Sequence, residues 1–335
     1  MQKRVKKMSD YRFVTHTDVP DRVEQVTELN AVAFAEYEGA PVLDETFTHW
    51  YLQRPGSTPG RCVAALDPDD EMVSMVLVAI QPLQIGGRVI DCGIIDSVAT
   101  HPGHRRHGLA RRLMEMAHDI MQGDGADAAV LYTDPNNYPY EFYQSLGYQT
   151  RAMCQLMRGS RRQKRGGVGL QLMHRPCSGD VAELLDEFYA DHEGYARMDG
   201  DVFTWHKIER PEGMEVAVLT ARIGEDLAAT CTYAEIELLL QGSRLAVATI
   251  SDFAYRPELC DGAEALKSML AVAPQDRLVS ICDEEDPLAE LYKQMGFTPE
   301  VNEVAMILPF TNAADQAVAG DGGPWYPMVE SIIGV

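Results

Sequence analysis

The chain contains the same pattern of short segments twice, and this repeat limits its possible folds more than any other feature. Three pairs of segments recur in the same order, about 150 residues apart. They are FTHWYLQRP (47–55) with FTWHKIERP (203–211), IDSVATHP (95–102) with ISDFAYRP (250–257), and FYQSLGYQT (142–150) with LYKQMGFTP (291–299). Each pair is a weak match by itself, but the shared order and spacing predict a tandem duplication of one folding unit.

Each copy alternates helical and strand-like patterns, which predicts a mixed α/β (α+β) fold class. In the first copy, helices are predicted over about 19–38, 109–121 and 139–147, and strands over 61–66, 71–81, 89–100, 128–133 and 151–157. In the second copy, helices are predicted near 179–192, 262–272 and 287–295, and strands near 214–221, 227–239, 244–254, 277–282 and 301–308. The two copies therefore carry the same elements in the same order.

The repeat predicts two domains, at residues 1–157 and 168–310, joined by a linker at 158–167. The linker, RGSRRQKRGG, has five basic residues, and a short charged run of this kind is typical of a solvated connection. The alternative is that it contacts a cofactor phosphate or a nucleic acid. Residues 311–335 form a tail outside the repeat, and aromatic residues such as Trp325 predict that its end docks on the protein.

The charge balance limits the partners of the protein. The chain has 29 Lys and Arg against 51 Asp and Glu, a formal net charge of −22. This balance argues against nucleic-acid binding and against anionic membranes, and it favours a cationic small molecule. The seven cysteines show no CxxC spacing, and no apolar run approaches the roughly 18 residues of a membrane span. We therefore expect a cytoplasmic protein without a membrane partner, and the sequence leaves a homo-oligomer open.

One basic stretch stands out in this acidic chain, VATHPGHRRHGLARRLM at 98–114. It joins a strand to a helix through a tight turn, and a helix N-terminus offers unpaired backbone N–H groups and a positive dipole end to an anion. Gly108 permits close approach of a ligand, Arg105 and Arg106 add charge, and Ala110 keeps the first turn clear. The stretch predicts a pyrophosphate site. The alternative is an amphipathic helix with arginines that face solvent.

The order VATHP, then R-x-x-G-x-A, then an apolar helix resembles motif A of the GNAT superfamily of acyl-CoA-dependent N-acetyltransferases. The resemblance implies two tandem GNAT folds, each with a mixed, mostly antiparallel twisted sheet flanked by helices. It also implies acetyl-CoA (coenzyme A) as co-substrate. The residues that would bind it are Val98, Ala99 and Thr100 at the pantetheine arm, and Arg105, Arg106, His107, Gly108, Leu109 and Ala110 at the pyrophosphate.

The stretch EFYQSLGY resembles a late element of the same superfamily, and this implies that Tyr143 is the general acid for the departing thiolate. The alternative for Tyr143 is a packing role on the sheet. Asp96 precedes Val98 by two residues on the same strand, so it is a candidate general base, directly or through water. Asp96 could equally pair with Arg105 or anchor a substrate ammonium. A backbone N–H near Val98 is expected to stabilise the oxyanion.

The second copy lacks the basic stretch, because RPELCDGAEALKSM stands in its place with Asp261 and Glu264, which repel phosphate. This predicts a degenerate domain that supports the first and helps to form the substrate cleft. Tandem units with an intact first copy resemble the enhanced-intracellular-survival family of acetyltransferases, with mycothiol synthases as a second candidate. Only about 25 residues follow Phe310, too few for the third domain of the former family. Its terminal-carboxylate role therefore does not transfer directly to Val335.

These features together predict an acetyl-CoA-dependent N-acetyltransferase. The acceptor would be a primary amine of a small, cationic molecule, and its nitrogen would attack the thioester directly. Two alternatives remain: a non-catalytic acyl-CoA-binding or regulatory protein, and an acyltransferase for a longer acyl chain or a thiol-precursor substrate. No metal is expected, because His101, His104 and His107 have no further Cys or His set beside them.

Overall fold

The computed structural model of the protein describes residues 8–35, 44–161, 171–174, 179–198, 200–214, 216–240, 243–320 and 322–328. Three sequence-based expectations fall partly outside these residues. They are the end of the first helix at 36–38, the linker beyond Arg161 and the tail beyond Met328.

The described strands form one 12-stranded sheet. The strands are β1 (Arg12–Thr15), β2 (Val63–Leu66), β3 (Met72–Ile85), β4 (Arg88–Thr100), β5 (Ala128–Thr133), β6 (Gln149–Ser160), β7 (Gln171–His174), β8 (Val216–Ile223), β9 (Asp226–Leu240), β10 (Ser243–Tyr255), β11 (Arg277–Asp283) and β12 (Thr298–Pro309). Among them, parallel pairing is confined to β4 with β5 and β10 with β11. The predicted fold class, a mixed and mostly antiparallel sheet with flanking helices, is confirmed.

The α-helices of the described chain lie on both faces of the sheet. They are α1 (Arg22–Ala33), α2 (Glu45–Tyr51), α3 (Leu109–Gly123), α4 (Tyr138–Gln144), α5 (Gly179–Phe188), α6 (Gly200–Lys207), α7 (Gly262–Leu270), α8 (Pro287–Gln294) and α9 (Asn312–Val318). Among these described helices, none is long and apolar enough to cross a membrane.

The strand order is β1-β2-β3-β4-β5-β12-β6-β11-β10-β9-β8-β7, so the last strand of each half lies beside the fifth strand of the other half. β12 pairs with β5, where Val304 lies opposite Thr133, and β6 pairs with β11, where Cys154 lies opposite Asp283. The two sheets expected from the sequence are therefore one continuous sheet. Separating the halves would expose the edges of four strands.

The chain leaves the sheet later than the predicted start of the linker, because β6 extends through Ser160. Arg158 Nε lies 2.6 Å from Glu300 Oε2, and Arg161 Nη2 lies 2.7 Å from Asp276 Oδ1. Two of the five basic residues of this segment therefore pair with carboxylates of the second half. Whether each half is a domain in its own right stays a prediction.

Two helical layers enclose the first half of the sheet, β1 to β5. On one face, the apolar side of α3, including Leu113 and Ala117, packs on strands β2 to β4. On the other face, α1 and α2 pack on the same strands, with Leu29 and Phe47 buried. This second face continues over the centre of the molecule, where α9 and the tail residue Trp325 cover the exchanged strands. The tail therefore docks, as the sequence predicts.

The two copies of the first repeated segment meet in a stacked pair of tryptophans. The rings of Trp50 on α2 and Trp205 on α6 lie 4.1 Å apart with an interplanar angle of 3°. Trp205 Nε1 also donates to the carbonyl oxygen of Trp50 at 3.4 Å. This contact joins the halves on the face that carries α1 and α2, beside the exchanged strands.

Candidate active site

The two parallel strands of the first half separate where the site would form. β4 pairs with β5 only from Cys92 to Ile94. Beyond that point β4 has a bulge opposite β3, because its register shifts between Asp96 and Ala99, and Ser97 adopts a φ of 47°. The bulge and the diverging strands leave the β5-facing edge of β4 from Asp96 to Thr100 outside the β4–β5 pairing.

The loop after β4 ends in a helix without a side-chain cap. Gly108 precedes α3 with a φ of 78°, in the left-handed region that favours glycine, and no side chain accepts a hydrogen bond from the first turn. Arg106 also has a positive φ, 64°, and its side chain is exposed. The N-terminus of α3 therefore presents backbone N–H groups beside an exposed guanidinium, which suits an anionic ligand.

The remaining side chains of the loop hold its shape. The Arg105 guanidinium donates to the carbonyl oxygen of Ala33 at 3.0 Å and to that of Thr100 at 3.3 Å, so it ties the loop to the end of α1. His107 Nδ1 lies 2.9 Å from the carbonyl oxygen of Arg105. Leu109, the first residue of α3, is buried. Of the predicted phosphate-binding residues, the structure thus gives Arg105 and His107 a positioning role within the loop.

The strand residues predicted to bind pantetheine lie along β4 after the bulge. Val98 and Thr100 are half-buried, and Ala99 is buried. Ser74 on β3 donates to the carbonyl oxygen of Ala99 at 2.9 Å, and its hydroxyl lies 2.8 Å from Thr100 Oγ1. These contacts fix the edge of β4 that faces away from β5.

Tyr143 lies on α4 and is buried. Its ring packs against Phe142 and, edge to face at 6.0 Å, against Tyr148. Val304 of β12 belongs to the same apolar cluster, which marks the face of the sheet that carries α3 and α4. Burial suits both the packing role and the acid role, so the acid role stays a prediction.

Asp96 has a partner that the sequence analysis did not anticipate. Arg54 Nη2 lies 3.1 Å from Asp96 Oδ2, and both side chains are buried. The Arg54 guanidinium also lies 4.4 Å from the centre of the Tyr51 ring. The repeated segment 47–55 contains Arg54 and so was a signal for this residue, although nothing in the sequence linked it to Asp96.

Glu303 is the acidic residue of the site that the sequence analysis missed. It lies on β12, opposite Cys154 of β6 and next to Val304, which pairs with Thr133 at the end of β5. Burial, together with the charges of Asp134 and Asp96, raises the pKa of its carboxyl to about 8. The available signal was a single carboxylate inside the apolar stretch VNEVAMIL.

Asp134 follows β5 and is the third carboxylate of this region. Its Oδ1 accepts from the backbone N–H of Asn136 at 2.8 Å, and its Oδ2 accepts from Asn137 Nδ2 at 2.7 Å. These hydrogen bonds hold the carboxylate in place beside the diverging strands. Asp134 and Asp96 thus both act on Glu303 at the end of β4 and β5, and Arg54 pairs with Asp96.

The equivalent region of the second half is filled by its own side chains and by the tail. β10 has a matching bulge with Asp252 at a φ of 52°, where Lys207 forms a buried ion pair with it and Tyr326 donates to it at 2.5 Å. Asp261 accepts from Glu264 N at 3.0 Å and so caps α7. The degenerate loop predicted for the second copy therefore blocks its own helix N-terminus with a carboxylate.

Comparisons with known proteins agree with this geometry. Residues 11–151 match the family model of the acetyltransferase (GNAT) domain. The match covers β1 to the start of β6 and includes the loop before α3 and Tyr143. It confirms the prediction that the chain is an acyltransferase enzyme. No curated protein sequence matches the chain.

Solved structures similar to the whole chain share the fold at low sequence identity. Two structures of N-myristoyltransferase from Saccharomyces cerevisiae with bound myristoyl-CoA have TM-scores of 0.71 and 0.68 at 11% identity. The match covers 92% of this chain in both and 85% and 80% of theirs. A GCN5-related N-acetyltransferase from Anabaena variabilis has a TM-score of 0.65 at 12% identity, over 89% of this chain and 72% of that chain. The similarity thus extends beyond the GNAT domain.

The described residues contain no group of three or more His, Cys, Asp and Glu side chains arranged to hold a metal ion. The loop residues His101, His104 and His107 are among the described residues. His101 Nδ1 instead accepts from the backbone N–H of Gly103 at 3.1 Å.

Proposed function

We propose that the protein transfers an acetyl group from acetyl-CoA to the primary amine of a small cationic acceptor. The observation that carries this proposal is the uncapped N-terminus of α3, preceded by Gly108, beside the diverging strands of the GNAT domain. A CoA thioester needs two features in its binding site: an anion site for the diphosphate and an open strand edge for the pantetheine arm. The second half has the bulge and the diverging strands but caps its helix with Asp261.

The residues of the loop fit a diphosphate. Gly108 has no Cβ at the point where the backbone would meet the ligand, and the exposed Arg106 guanidinium has a shape that matches phosphate oxygens. The N–H groups of Leu109 and Ala110 would complete the anion site, and the edge of β4 from Val98 to Thr100 would bind the pantetheine arm. Bound there, acetyl-CoA would supply the activated carbonyl carbon.

A cationic acceptor is supported by the charges around the site. Asp134 and Asp96 both act on Glu303, and Arg54 pairs with Asp96. Negative charge around a cleft raises the local concentration of ammonium groups. We place Tyr143 as the acid that protonates the departing thiolate, since a phenol has a suitable pKa for this step.

A longer acyl group is the second candidate, because the two structures with the higher TM-scores have myristoyl-CoA bound. The tandem arrangement is part of our proposal as well. Residues 1–157 would be the catalytic domain and 168–310 a degenerate domain, followed by the tail 311–335, in which Tyr326 donates to Asp252 of the second half. The matching bulges at Ser97 and Asp252 support this arrangement.

Calorimetric titration with acetyl-CoA, CoA and myristoyl-CoA, followed by thiol release over a panel of amines, tests the proposal. We expect binding of acetyl-CoA and CoA and turnover with di- and polyamines. Arg106→Ala should weaken CoA binding about tenfold, as expected when a charge-assisted contact of about 1.4 kcal/mol is lost. Arg112→Ala is the matched control, because Arg112 is also exposed but pairs with Glu115 at 3.7 Å. Absence of CoA binding would refute the proposal.

A further inference from the structure

We propose that Glu303, on the last strand of the second half, is the general base that takes the proton from the acceptor ammonium in the first half. This assignment rests on the proposed function and deepens it. It differs from the expectation that Asp96 is the base, and it makes the active site a product of both halves of the chain.

The strand exchange brings Glu303 to the site. β12 occupies the position beside β5, and Val304 pairs with Thr133, the last residue of β5. β4 and β5 have already separated at this level, because their pairing ends at Ile94 and Val130. Glu303 therefore lies beside the open end of the two strands, although about 200 residues separate it from Asp96 in sequence.

Glu303 and Asp96 project from the same face of the sheet. Ile94 and Ala305 belong to one buried cluster on the face covered by α9 and the tail. Asp96 follows Ile94 by two residues and Glu303 precedes Ala305 by two, so both share that face. The cluster that contains Tyr143 lies on the opposite face. A base and an acid on opposite faces suit a reaction in which the amine enters from one side and the thiolate leaves toward the other.

The contacts of the three carboxylates distinguish their roles. Asp96 is committed to Arg54 in a buried ion pair, and Asp134 accepts hydrogen bonds from Asn136 and Asn137. Glu303 is half-buried, and no described group donates a hydrogen bond to its carboxylate. It is the carboxylate of the three that remains available to a substrate.

The groups that face Glu303 set its proton affinity. They are Asp96 on β4, Asp134 just after β5 and Cys154 on β6. Asp96 is paired with Arg54, which follows α2. Burial raises the pKa of the Cys154 thiol well above its ordinary value, so this neighbour stays neutral. A general base works best when its pKa lies near the operating pH. The pKa of Glu303, about 8, meets this condition near neutral pH.

The proton balance of the step is complete without a further reactant. The carboxylate of Glu303 takes one proton from the ammonium R–NH3+, and the freed nitrogen lone pair forms the C–N bond to the thioester carbonyl carbon. The C–S bond breaks, and the sulfur leaves with its electron pair and is protonated by Tyr143. The second nitrogen proton restores the phenol through solvent, and Glu303 releases its proton to water.

The repeat gives an independent reason why this chemistry belongs to one half. β6 and β12 are equivalent strands, and the residue of β6 that corresponds to Glu303 is Cys154, which lies directly opposite it. In the second half, Ser251 occupies the position of Asp96, and the carboxylate of Asp283 accepts from the backbone N–H of Trp325 at 2.8 Å. The second half therefore has neither the base nor an open cleft.

The kinetic test compares Glu303→Gln, Glu303→Asp and the control Glu300→Gln in the full chain. Glu300 lies on the same strand but is exposed and pairs with Arg158. We expect Glu303→Gln to lower kcat about 100-fold or more and to lose the acidic limb of the pH profile, in which the rate of wild type rises with pH through about 8. Acetyl-CoA affinity should stay unchanged, Glu303→Asp should recover part of kcat, and Glu300→Gln should behave as wild type.

A second measurement does not need turnover. The measurement is calorimetry of 1,4-diaminobutane binding near pH 7, in buffers that differ in ionisation enthalpy. Binding should release a proton from wild type and none from Glu303→Gln. Equal proton release by both proteins, or a Glu303→Gln variant with wild-type kcat and pH profile, would overturn the assignment. Wild type that binds no CoA and acylates no amine would instead contradict the proposed function, and the assignment of the base would fall with it.

Discussion

Arg54 and Asp96 form a buried ion pair, with 3.1 Å between Nη2 and Oδ2, that joins the segment after α2 to β4 just before its bulge. Arg54 Nη1 also donates to the carbonyl oxygen of Tyr51 at 3.3 Å. The pair therefore fixes α2 relative to β4, the strand that would bind the thioester. It also places a positive charge beside Asp96, one of the two carboxylates that raise the pKa of Glu303.

Replacement of Arg54 by methionine should destabilise the protein strongly. The change leaves Asp96 buried without its ion-pair partner, and loss of one partner of a buried pair typically costs about 3–5 kcal/mol. Urea unfolding followed by circular dichroism measures this free energy. The double variant Arg54→Met with Asp96→Leu should be more stable than Arg54→Met alone, because no unpaired charge then remains.

The matched control for this prediction is the exposed pair of Arg12 and Asp70, whose Nη2 and Oδ1 atoms lie 2.6 Å apart. Arg12→Met should cost no more than about 1 kcal/mol, because solvent screens both charges. Equal losses for Arg54→Met and Arg12→Met would contradict the importance that we assign to burial of the pair.

Gly108→Glu should abolish CoA binding without unfolding the protein. The new carboxylate would lie at the N-terminus of α3, where it repels phosphate, and its Cβ would occupy a backbone position with a φ of 78°. Gly125→Glu is the matched control, because Gly125 lies just beyond the other end of α3 with a φ of 89° and open space around it. Calorimetry with CoA should show loss of binding in the first variant alone.

Local elements of this fold follow closely from the sequence, because their signals are local. The strand predicted over 128–133 is β5, Ala128–Thr133, and the helix predicted over 262–272 is α7, Gly262–Leu270. Hydrophobic periodicity and turn residues decide such elements within a window of a few residues. The turn before α3 could be predicted for the same reason, because Gly108 and its neighbours form one contiguous stretch.

The exchange of β6 and β12 was not predictable in the same way. Both strands read as ordinary last strands of their units, and no local pattern states which of two equivalent edges a strand will join. The consequence for the site is large, because Glu303 comes from a segment that the repeat assigns to the other half. The pairing of Arg54 with Asp96 likewise depends on tertiary packing between α2 and β4, for which the spacing of residues carries no signal.

Tyr143→Phe should lower kcat with little change in acetyl-CoA affinity. The variant keeps the buried ring and its edge-to-face contact with Tyr148 and removes only the hydroxyl that would protonate the thiolate. A loss of a general acid typically costs about 100-fold or more in rate. Tyr140→Phe is the control on the same helix, because the Tyr140 hydroxyl lies 2.9 Å from Thr150 Oγ1 and has no proposed role in catalysis. Wild-type turnover of Tyr143→Phe would exclude the acid role.

Glu303 should also make the stability of the protein depend on pH. Its pKa is about 8 in the folded protein and 4.5 as the ordinary value, so the folded state binds more protons between these limits. The contribution of this group to stability is therefore fully present below about pH 4.5 and is lost as pH rises through 8. Glu303→Gln, which resembles the protonated carboxyl, should equal wild type near pH 5 and exceed it by about 1–2 kcal/mol near pH 9, after allowance for solvent screening. Urea unfolding at the two pH values measures the difference. The control Glu300→Gln should differ from wild type at neither pH. Equal stabilities of Glu303→Gln and wild type near pH 9 would contradict the raised pKa.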